Sequence, residues 1–510
     1  MNDSSTKLNS TGKNSKMSNS NKEENSYKSS LKATGITGLA QVIQIIIKIV
    51  NTKVIAFLLG PTGVGIIGMF QSTTNLINTI SGLGLGSSAV RDIAQAVKQE
   101  DDEKISHTIL TLRRLVWITG LVGAFFCILA GSWLSQLSFN SEMYATEFRI
   151  LGVMVFLSQI TAGQMALLQG FRRLKEMAMA SVLGGLAGLI FAVPLYWYFG
   201  IKGIVPALVI LAIVPVVVAW WLAKGIRITR HLISQEKFRQ VAFPMVKLGI
   251  STMLSGLAFF LSMWLIRILV QRQFGLTAVG QFQAGWGVTT IYLQMIFQAM
   301  GRDYFPRLAG MAENPKAMVK QVNEQMHLAL LMGTPLLLFA IMGAPWIIQF
   351  LYSSKFEEAI PQLQWLALGT LFKLISWPLG FVLLALRKST VYFFTETFAA
   401  AGFLLLSFLL MKPFGLHGVG MAYTLNYILY AIIVLVAARS FIGFQIDKRS
   451  LQYLLISMFG IGLVFFSFNV VSQQIFYFLA LIISLGISFI YLRKLDQLTG
   501  LFKSIWNRIR

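Results

Sequence analysis

Gly60-Pro61-Thr62-Gly63-Val64-Gly65 returns in the second half of the chain as Gly275-Leu276-Thr277-Ala278-Val279-Gly280. The same offset relates Phe199-Gly200-Ile201-Lys202-Gly203 to Phe414-Gly415-Leu416-His417-Gly418, and Arg172-Arg173 to Arg387-Lys388. A single match in a Gly-rich chain could be coincidence; three in one register mark an internal duplication. Each copy of the first motif separates two apolar stretches long enough to cross a hydrocarbon core of roughly 30 Å: 33–59 and 64–90 in the first copy, 242–271 and 279–301 in the second. Extended along the chain, the pattern gives fourteen such spans, six per copy and a final two at 451–471 and 474–492. Six is even, so both copies enter the membrane in the same orientation, as parallel repeats about an axis along the membrane normal.

Composition agrees. Of 510 residues 55% are hydrophobic and 12% charged, and mean hydropathy is +0.68. Soluble globular domains carry about 25% charged residues. The net charge of +23 is not a nucleic-acid signature, because the cations punctuate apolar stretches. With the N-terminus inside, 33 Lys and Arg fall in cytoplasmic segments and four (Lys202, Arg272, Lys355 and Lys412) in outer loops. A count wrong by one span would scramble that asymmetry, so it predicts both the number of spans and cytoplasmic termini. The fold class read from the sequence is therefore an all-α polytopic membrane protein of about fourteen helices. Its expected parts are a disordered basic tail (1–30), an N-lobe (31–239, spans 1–6), a C-lobe (240–440, spans 7–12), and an added helix pair with a basic tail (441–510).

Function classes narrow quickly. One cysteine, Cys127, and four histidines exclude a disulfide framework and argue against a cysteine- or histidine-bound metal. No GxxxxGK[ST], HExxH or GxSxG motif is present. The sequence predicts no enzyme, no cofactor and no metal. Two lobes with a site between them suit alternating-access transport.

Polar residues recur at helical spacing: Gln41, Gln44, Lys48 and Thr52 on span 1; Gln71, Asn75 and Asn78 on span 2; Lys247, Ser251 and Ser255 on span 7; Gln283, Thr290, Gln294 and Gln298 on span 8. Lipid cannot satisfy such groups, so the stripes should face protein or a wet cavity. A cation inside the bilayer costs roughly 2.5–3.5 kcal/mol on insertion scales and needs a reason. Lys48, Lys53, Lys247, Arg267 and Lys373 are the candidates. Lys53 lies seven residues before Gly60 and Arg267 eight before Gly275, so the repeat sets one cation at nearly equal depth in each lobe. Lys48 and Lys53 are about 140° apart around one helix and cannot both point into a central cavity unless it bends. Intramembrane acids are scarce, Glu396 being the clearest, with Asp303 at the cytoplasmic end of span 8. A net positive cavity predicts an anionic ligand, and a phosphate or pyrophosphate fits.

Ala56-Phe57-Leu58-Leu59-Gly60-Pro61-Thr62-Gly63-Val64-Gly65 after a basic first helix resembles the opening of the bacterial lipid-linked oligosaccharide flippases. These form the polysaccharide-export branch of the MOP (multidrug/oligosaccharidyl-lipid/polysaccharide) superfamily. Gly170-Phe171-Arg172, Gly200-Ile201-Lys202-Gly203 and Ser354-Lys355-Phe356 resemble further landmarks, and the similarity covers roughly 30–440, nearest to flippases of O-antigen and enterobacterial common antigen repeat units. The resemblance implies a two-lobed V-shaped bundle in the inner membrane. It would carry undecaprenyl-pyrophosphate-linked glycan to the outer leaflet, driven by a proton or sodium gradient or the membrane potential, in company with polysaccharide polymerase and chain-length proteins. It also implies roles for Lys53, Arg267 and Lys373 at the pyrophosphate, to which the stripes add Lys48 and Lys247. Gln41, Gln44, Gln71, Asn75, Asn78, Gln294 and Gln298 would line the glycan path, and Glu396, then Asp303, would couple the ion. The competing readings are a multidrug antiporter, which needs cavity carboxylates, a glycan polymerase or ligase, which needs a long outer loop bearing Arg, His or Asp, and a non-transporting scaffold.

Overall fold

The computed structural model describes residues 8–226, 234–469 and 474–499, with side chains from Leu39 onward apart from a few positions. Its helices are α1 (Leu8–Ser81), α2 (Leu85–Lys98), α3 (Asp102–Leu129), α4 (Gly131–Phe139), α5 (Ala145–Gly170), α6 (Leu174–Phe199), α7 (Ile204–Ala223) and α8 (Gln235–Gly310). The second half adds α9 (Pro315–Met342), α10 (Ala344–Leu351), α11 (Ala359–Ala385), α12 (Ser389–Phe414), α13 (His417–Ile442), α14 (Lys448–Asn469) and α15 (Gln474–Thr499). Ten stretches are long and apolar enough to cross a membrane. Three of them hold two crossings each: Leu39–Ser81 breaks at Gly60, Leu174–Ala223 at the 3-10 turn Gly200–Gly203, and Gly256–Ile291 at Gly275. With α15 that makes fourteen crossings among the described residues.

The duplication is written into the backbone. Gly60 (φ 63°, ψ −172°) and Gly275 (φ 81°, ψ 178°) break their helices in the same way, at a conformation open mainly to glycine. Gly200 and Gly415 share a second positive-φ turn, and Arg172 (φ 56°) and Arg387 (φ 58°) a third. All three pairs keep the offset that relates the sequence motifs.

Local signals set several boundaries. Asp101 caps α3 by accepting from the Lys104 amide at 2.9 Å, and Asn314 caps α9 ahead of Pro315. Three features differ from the sequence reading. α1 already begins at Leu8, inside the stretch expected to be a tail. Span 2 is interrupted by left-handed Leu83 and Gly84, which start α2 as a separate piece. Spans 3 and 9 each end in a short extra helix, α4 and α10, at equivalent places in the two copies.

Within the N-lobe α3 packs on α5 and α6 on α7; within the C-lobe α11 and α12 pack on α13. The lobes meet chiefly along α1 and α8. The outward faces carry exposed Leu121, Val122, Phe125 and Leu129 on α3 and Leu405, Phe408 and Leu409 on α12, as lipid contact requires. The added pair α14–α15 lies against α9. There a hydroxyl chain of Thr334, Ser457 and Tyr491 (2.7 and 3.1 Å) ends on the Tyr453 carbonyl at 2.8 Å, a buried polar seam within the contact.

Candidate site between the lobes

The two broken helices cross at their glycines. Gly65 sits so close to the other lobe that a Cβ there would lie 2.1 Å from the Leu276 carbonyl oxygen, and one on Gly280 would lie 1.9 Å from that of Pro61. These contacts are reciprocal under the offset of the repeat. Between them the hydroxyls of Thr62 and Thr277, themselves counterparts in the two copies, bond at 3.0 Å. Further out, each short helix receives a polar side chain from the opposite lobe at its C-terminal carbonyls. Lys53 donates to Gln349 O on α10 at 2.9 Å, while Arg272 and Gln271 donate to Leu137 O and Phe139 O on α4 at 3.3 and 3.0 Å. Cations at a helix C-terminus meet the negative end of its dipole. This end of the bundle is shut.

Below the closed end lies an interlobe cavity of about 490 Å³. Lys48, Asn51 and Thr52 enter it from the first limb of α1 and Gln71 from the second; α8 supplies Arg267, Gln283, Trp286 and Thr290. A smaller recess of about 150 Å³ shares Gln71, Arg267, Gln283 and Trp286 and runs on to Asn75 and Phe259. Among the described residues no Asp or Glu lines either space.

Arg267 is the centre of this site. It is 7% exposed, yet among the described residues no carboxylate lies within ion-pair distance. Its Nε and Nη2 donate to Gln283 Oε1 (3.2 and 2.9 Å), its Nη1 to the Met263 carbonyl (3.0 Å), and the guanidinium lies 5.5 Å from the Phe282 ring centre. Three of five N–H donors are thus used to hold the group in place, and two remain to bind a ligand. Lys48 stands exposed in the same cavity on a flexible stem, a mobile cation beside a fixed one.

The other sequence candidates divide. Lys53 faces α10, on a different side of the helix from Lys48 as their spacing demands, and takes no part in lining the cavity. Lys373 lies within the C-lobe, its ammonium 5.0 Å from the Tyr427 ring centre and 5.9 Å from that of Phe297, within electrostatic reach of Glu396. Glu396 accepts a hydrogen bond from the Tyr430 hydroxyl and borders, with Asn426 and Tyr427, a small adjoining recess that shares Phe259, Met263 and Trp286 with the recess of Arg267. Lys247 is exposed near the start of α8, away from the cavity. Gln71 and Asn75 line the site; Asn78 instead accepts from Gln159 Nε2 on α5 (2.8 Å to its carbonyl). Gln41 and Gln44 are half-buried on α1 and line neither recess. The side chains of Gln294, Gln298 and Asp303 lie outside the described residues. The sequence reading missed Trp286 and Tyr352. Trp286 stacks on Phe403 (6.2 Å between centres) and edges onto Tyr423, which fixes one cavity wall.

Comparison with known proteins follows the same lines. The chain is 21% identical over 405 residues to the lipid III flippase of Escherichia coli K12, covering 78% of this chain and 95% of that protein. Its fold matches an inward-facing multidrug MATE transporter of the MOP superfamily with a TM-score of 0.68 (18% identity, 78% of this chain and 94% of that one). It also matches the inward closed form of the lipid II flippase MurJ with a TM-score of 0.65 (14% identity, 92% and 99%). The 92% coverage exceeds what residues 1–440 could supply, so that fold includes part of the region holding α14–α15. A family model described as polysaccharide biosynthesis protein matches residues 30–312. That match spans more than half of the sequence: the chain belongs to the polysaccharide biosynthesis protein family and is built on the multi-pass membrane fold of the MOP superfamily.

Proposed function

We propose that this protein is a flippase that carries a polyprenyl-diphosphate-linked oligosaccharide, of the undecaprenyl type, across the bacterial inner membrane, with both termini cytoplasmic. The observation that supports this most directly is Arg267, a buried arginine with spare donors that shares with Lys48 a cavity lined by no carboxylate among the described residues. An uncompensated buried cation is costly, and an arriving diphosphate removes the cost while gaining charge-assisted hydrogen bonds. Uncharged Gln71, Asn75, Asn51 and Thr290 offer the glycan hydroxyls partners without demanding one sugar. The prenyl chain stays in lipid, so only the polar headgroup crosses in the wet interior. Relatives named as lipid flippases support the same reading. A multidrug exporter would need acids where its cationic cargo sits; among the described residues none lines this cavity, and Glu396 borders only the adjoining recess.

In this reading the Gly60/Gly275 end faces outward, and the structure is an inward-directed state awaiting cargo. Coupling to a proton or sodium ion is assigned to Glu396, held by Tyr430 and close to Lys373 in the C-lobe. Glu396→Gln should leave cargo binding within about twofold but remove the response of transport rate to an imposed ion gradient in proteoliposomes; an unchanged gradient response would rule Glu396 out as the coupling group. Partnership with a polysaccharide polymerase and chain-length protein completes the proposal.

Lys48 and Lys53 separate binding from closure. Lys48→Ala should weaken binding of a polyprenyl diphosphate by about tenfold, the scale of one charge-assisted hydrogen bond. Lys53→Met should leave that affinity within about twofold, since its ammonium serves α10. Equilibrium binding of a short-chain polyprenyl diphosphate to the purified variants measures both, and a reversed order would contradict the site as drawn.

A further inference from the structure

A second polar recess lies on the outer flank of the N-lobe, between α3, α5 and α7, and shares no residue with the interlobe cavity. It is small, about 60 Å³, and is lined by Arg113, Gln164, Trp117 and Trp220 among apolar neighbours. Each of the two polar side chains keeps one atom without a partner. Arg113 Nε and Gln164 Oε1 are shielded and have no hydrogen-bond partner among the described residues, although Gln164 is only 7% exposed. A buried polar atom left unpaired costs about 1–3 kcal/mol, so two facing one recess call for a ligand. Among the described residues no acid lines the recess.

Its depth identifies the ligand's surroundings. Sixteen residues separate Arg113 from Leu129 at the far end of α3, and sixteen separate Trp220 from Ile204 at the far end of α7, about 24 Å in each case at 1.5 Å per residue. Against a core of roughly 30 Å, this sets both residues at the boundary of the leaflet opposite Gly60. Two of its walls are open to the outside: Trp117 and Trp220 are 45% and 46% exposed. Exposed indoles at that depth are interfacial anchors. A ligand entering between them arrives from lipid.

We propose that this recess is a binding site for an anionic glycerophospholipid whose headgroup bears a free hydroxyl, as phosphatidylglycerol does. The phosphodiester accepts from Arg113, the headgroup hydroxyl donates to Gln164 Oε1, and the acyl chains lie along Trp117 and Trp220. Basic pockets between transmembrane helices at the headgroup level bind anionic lipids by this chemistry. The site concerns the membrane around the protein and does not depend on which cargo crosses between the lobes; under the orientation proposed above it samples the cytoplasmic leaflet.

Native mass spectrometry of the purified full-length protein, titrated separately with phosphatidylglycerol, phosphatidylcholine and inorganic phosphate, tests the assignment. Phosphatidylglycerol should bind at least tenfold more tightly than phosphatidylcholine, and inorganic phosphate should not compete at equal concentration. Arg113→Gln should abolish that preference, whereas Arg114→Gln should retain it, because Arg114 lies over the Phe238 ring instead. Gln164→Leu should reduce phosphatidylglycerol binding at least threefold while leaving phosphatidic acid, which lacks the hydroxyl, unaffected; this variant also serves if Arg113→Gln does not fold. Equal binding of the two phospholipids, or a preference that survives both Arg113→Gln and Gln164→Leu, would overturn the proposal, and displacement by inorganic phosphate alone would assign the recess to a soluble anion instead.

Discussion

Replacing Arg267 by alanine is expected to lower glycan-lipid transport by at least a hundredfold while leaving the folded protein as abundant as the wild type. Two physical arguments meet at this residue. The guanidinium is fixed by Gln283 and the Met263 carbonyl, so its two spare donors are presented to cargo without an ordering cost, and their loss removes a bidentate contact to a diphosphate. Removing a buried cation that no acid compensates also relieves desolvation, which offsets the loss of packing. Transport and stability should therefore part company, whereas a structural arginine would lose both together. Arg267→Lys keeps the charge but cannot reproduce the bonds to Gln283 and Met263 at once, and should fall between, about tenfold below wild type. Transport assays beside thermal-unfolding curves check this; a variant that loses stability in step with activity would make Arg267 a packing element.

Gly280→Ala should be nearly as damaging for a different reason. A methyl group there would lie 1.9 Å from the Pro61 carbonyl oxygen, which no backbone can tolerate, so the lobes cannot close at the Gly60/Gly275 end as they do here. Gly65→Ala meets the Leu276 carbonyl in the same manner and should behave alike, because the offset makes the two contacts counterparts. Gly86→Ala is the control, since nothing lies within 4 Å of its Cβ position. Transport should fall at least tenfold in the first two variants and remain within twofold in the third. The cause can be read separately. With buried Cys127 replaced and Val64→Cys introduced beside Gly65, where the side chain is buried, a membrane-impermeant thiol reagent should label the Gly280→Ala protein faster than its parent. Unaltered labelling with lost transport would place the defect somewhere other than closure.

Much of this fold was legible because duplication leaves a constant offset, and the one that relates Gly60 to Gly275 also relates the positive-φ turns at Arg172 and Arg387. The site was legible in outline only. Periodicity could show that Lys48 and Lys53 point to different sides of one helix, but not which of them faces the cavity. That depends on α10, a short helix set off at Gly343 and Pro345 inside what reads as one apolar run. Equal depth suggested pairing Lys53 with Arg267; the backbone carbonyl of Gln349 claims Lys53 first. Trp286 was invisible as a cavity wall because an aromatic in an apolar helix reads as core, and only the crossing of α1 and α8 turns it toward the space between lobes; Tyr352 lines the cavity from just beyond α10, the helix whose start the apolar run conceals. Asn78 shows the converse: it shares the stripe of Gln71 and Asn75, yet its Oδ1 accepts from Gln159 Nε2 on a neighbouring helix at 3.2 Å. A stripe predicts a polar surface and leaves open whether protein or ligand meets it.

The central claim is that a diphosphate-bearing headgroup passes between the lobes by way of Arg267 and Lys48. It is tested most directly in liposomes containing the purified protein and a polyprenyl-diphosphate-linked oligosaccharide with a fluorescent sugar, using a membrane-impermeant quencher to report which leaflet holds the label. Wild-type protein should bring the protected fraction out to the quencher, and the Arg267→Ala, Lys48→Ala double variant should leave it protected. Equal exposure with both proteins, or none with either under an imposed ion gradient, would contradict the claim.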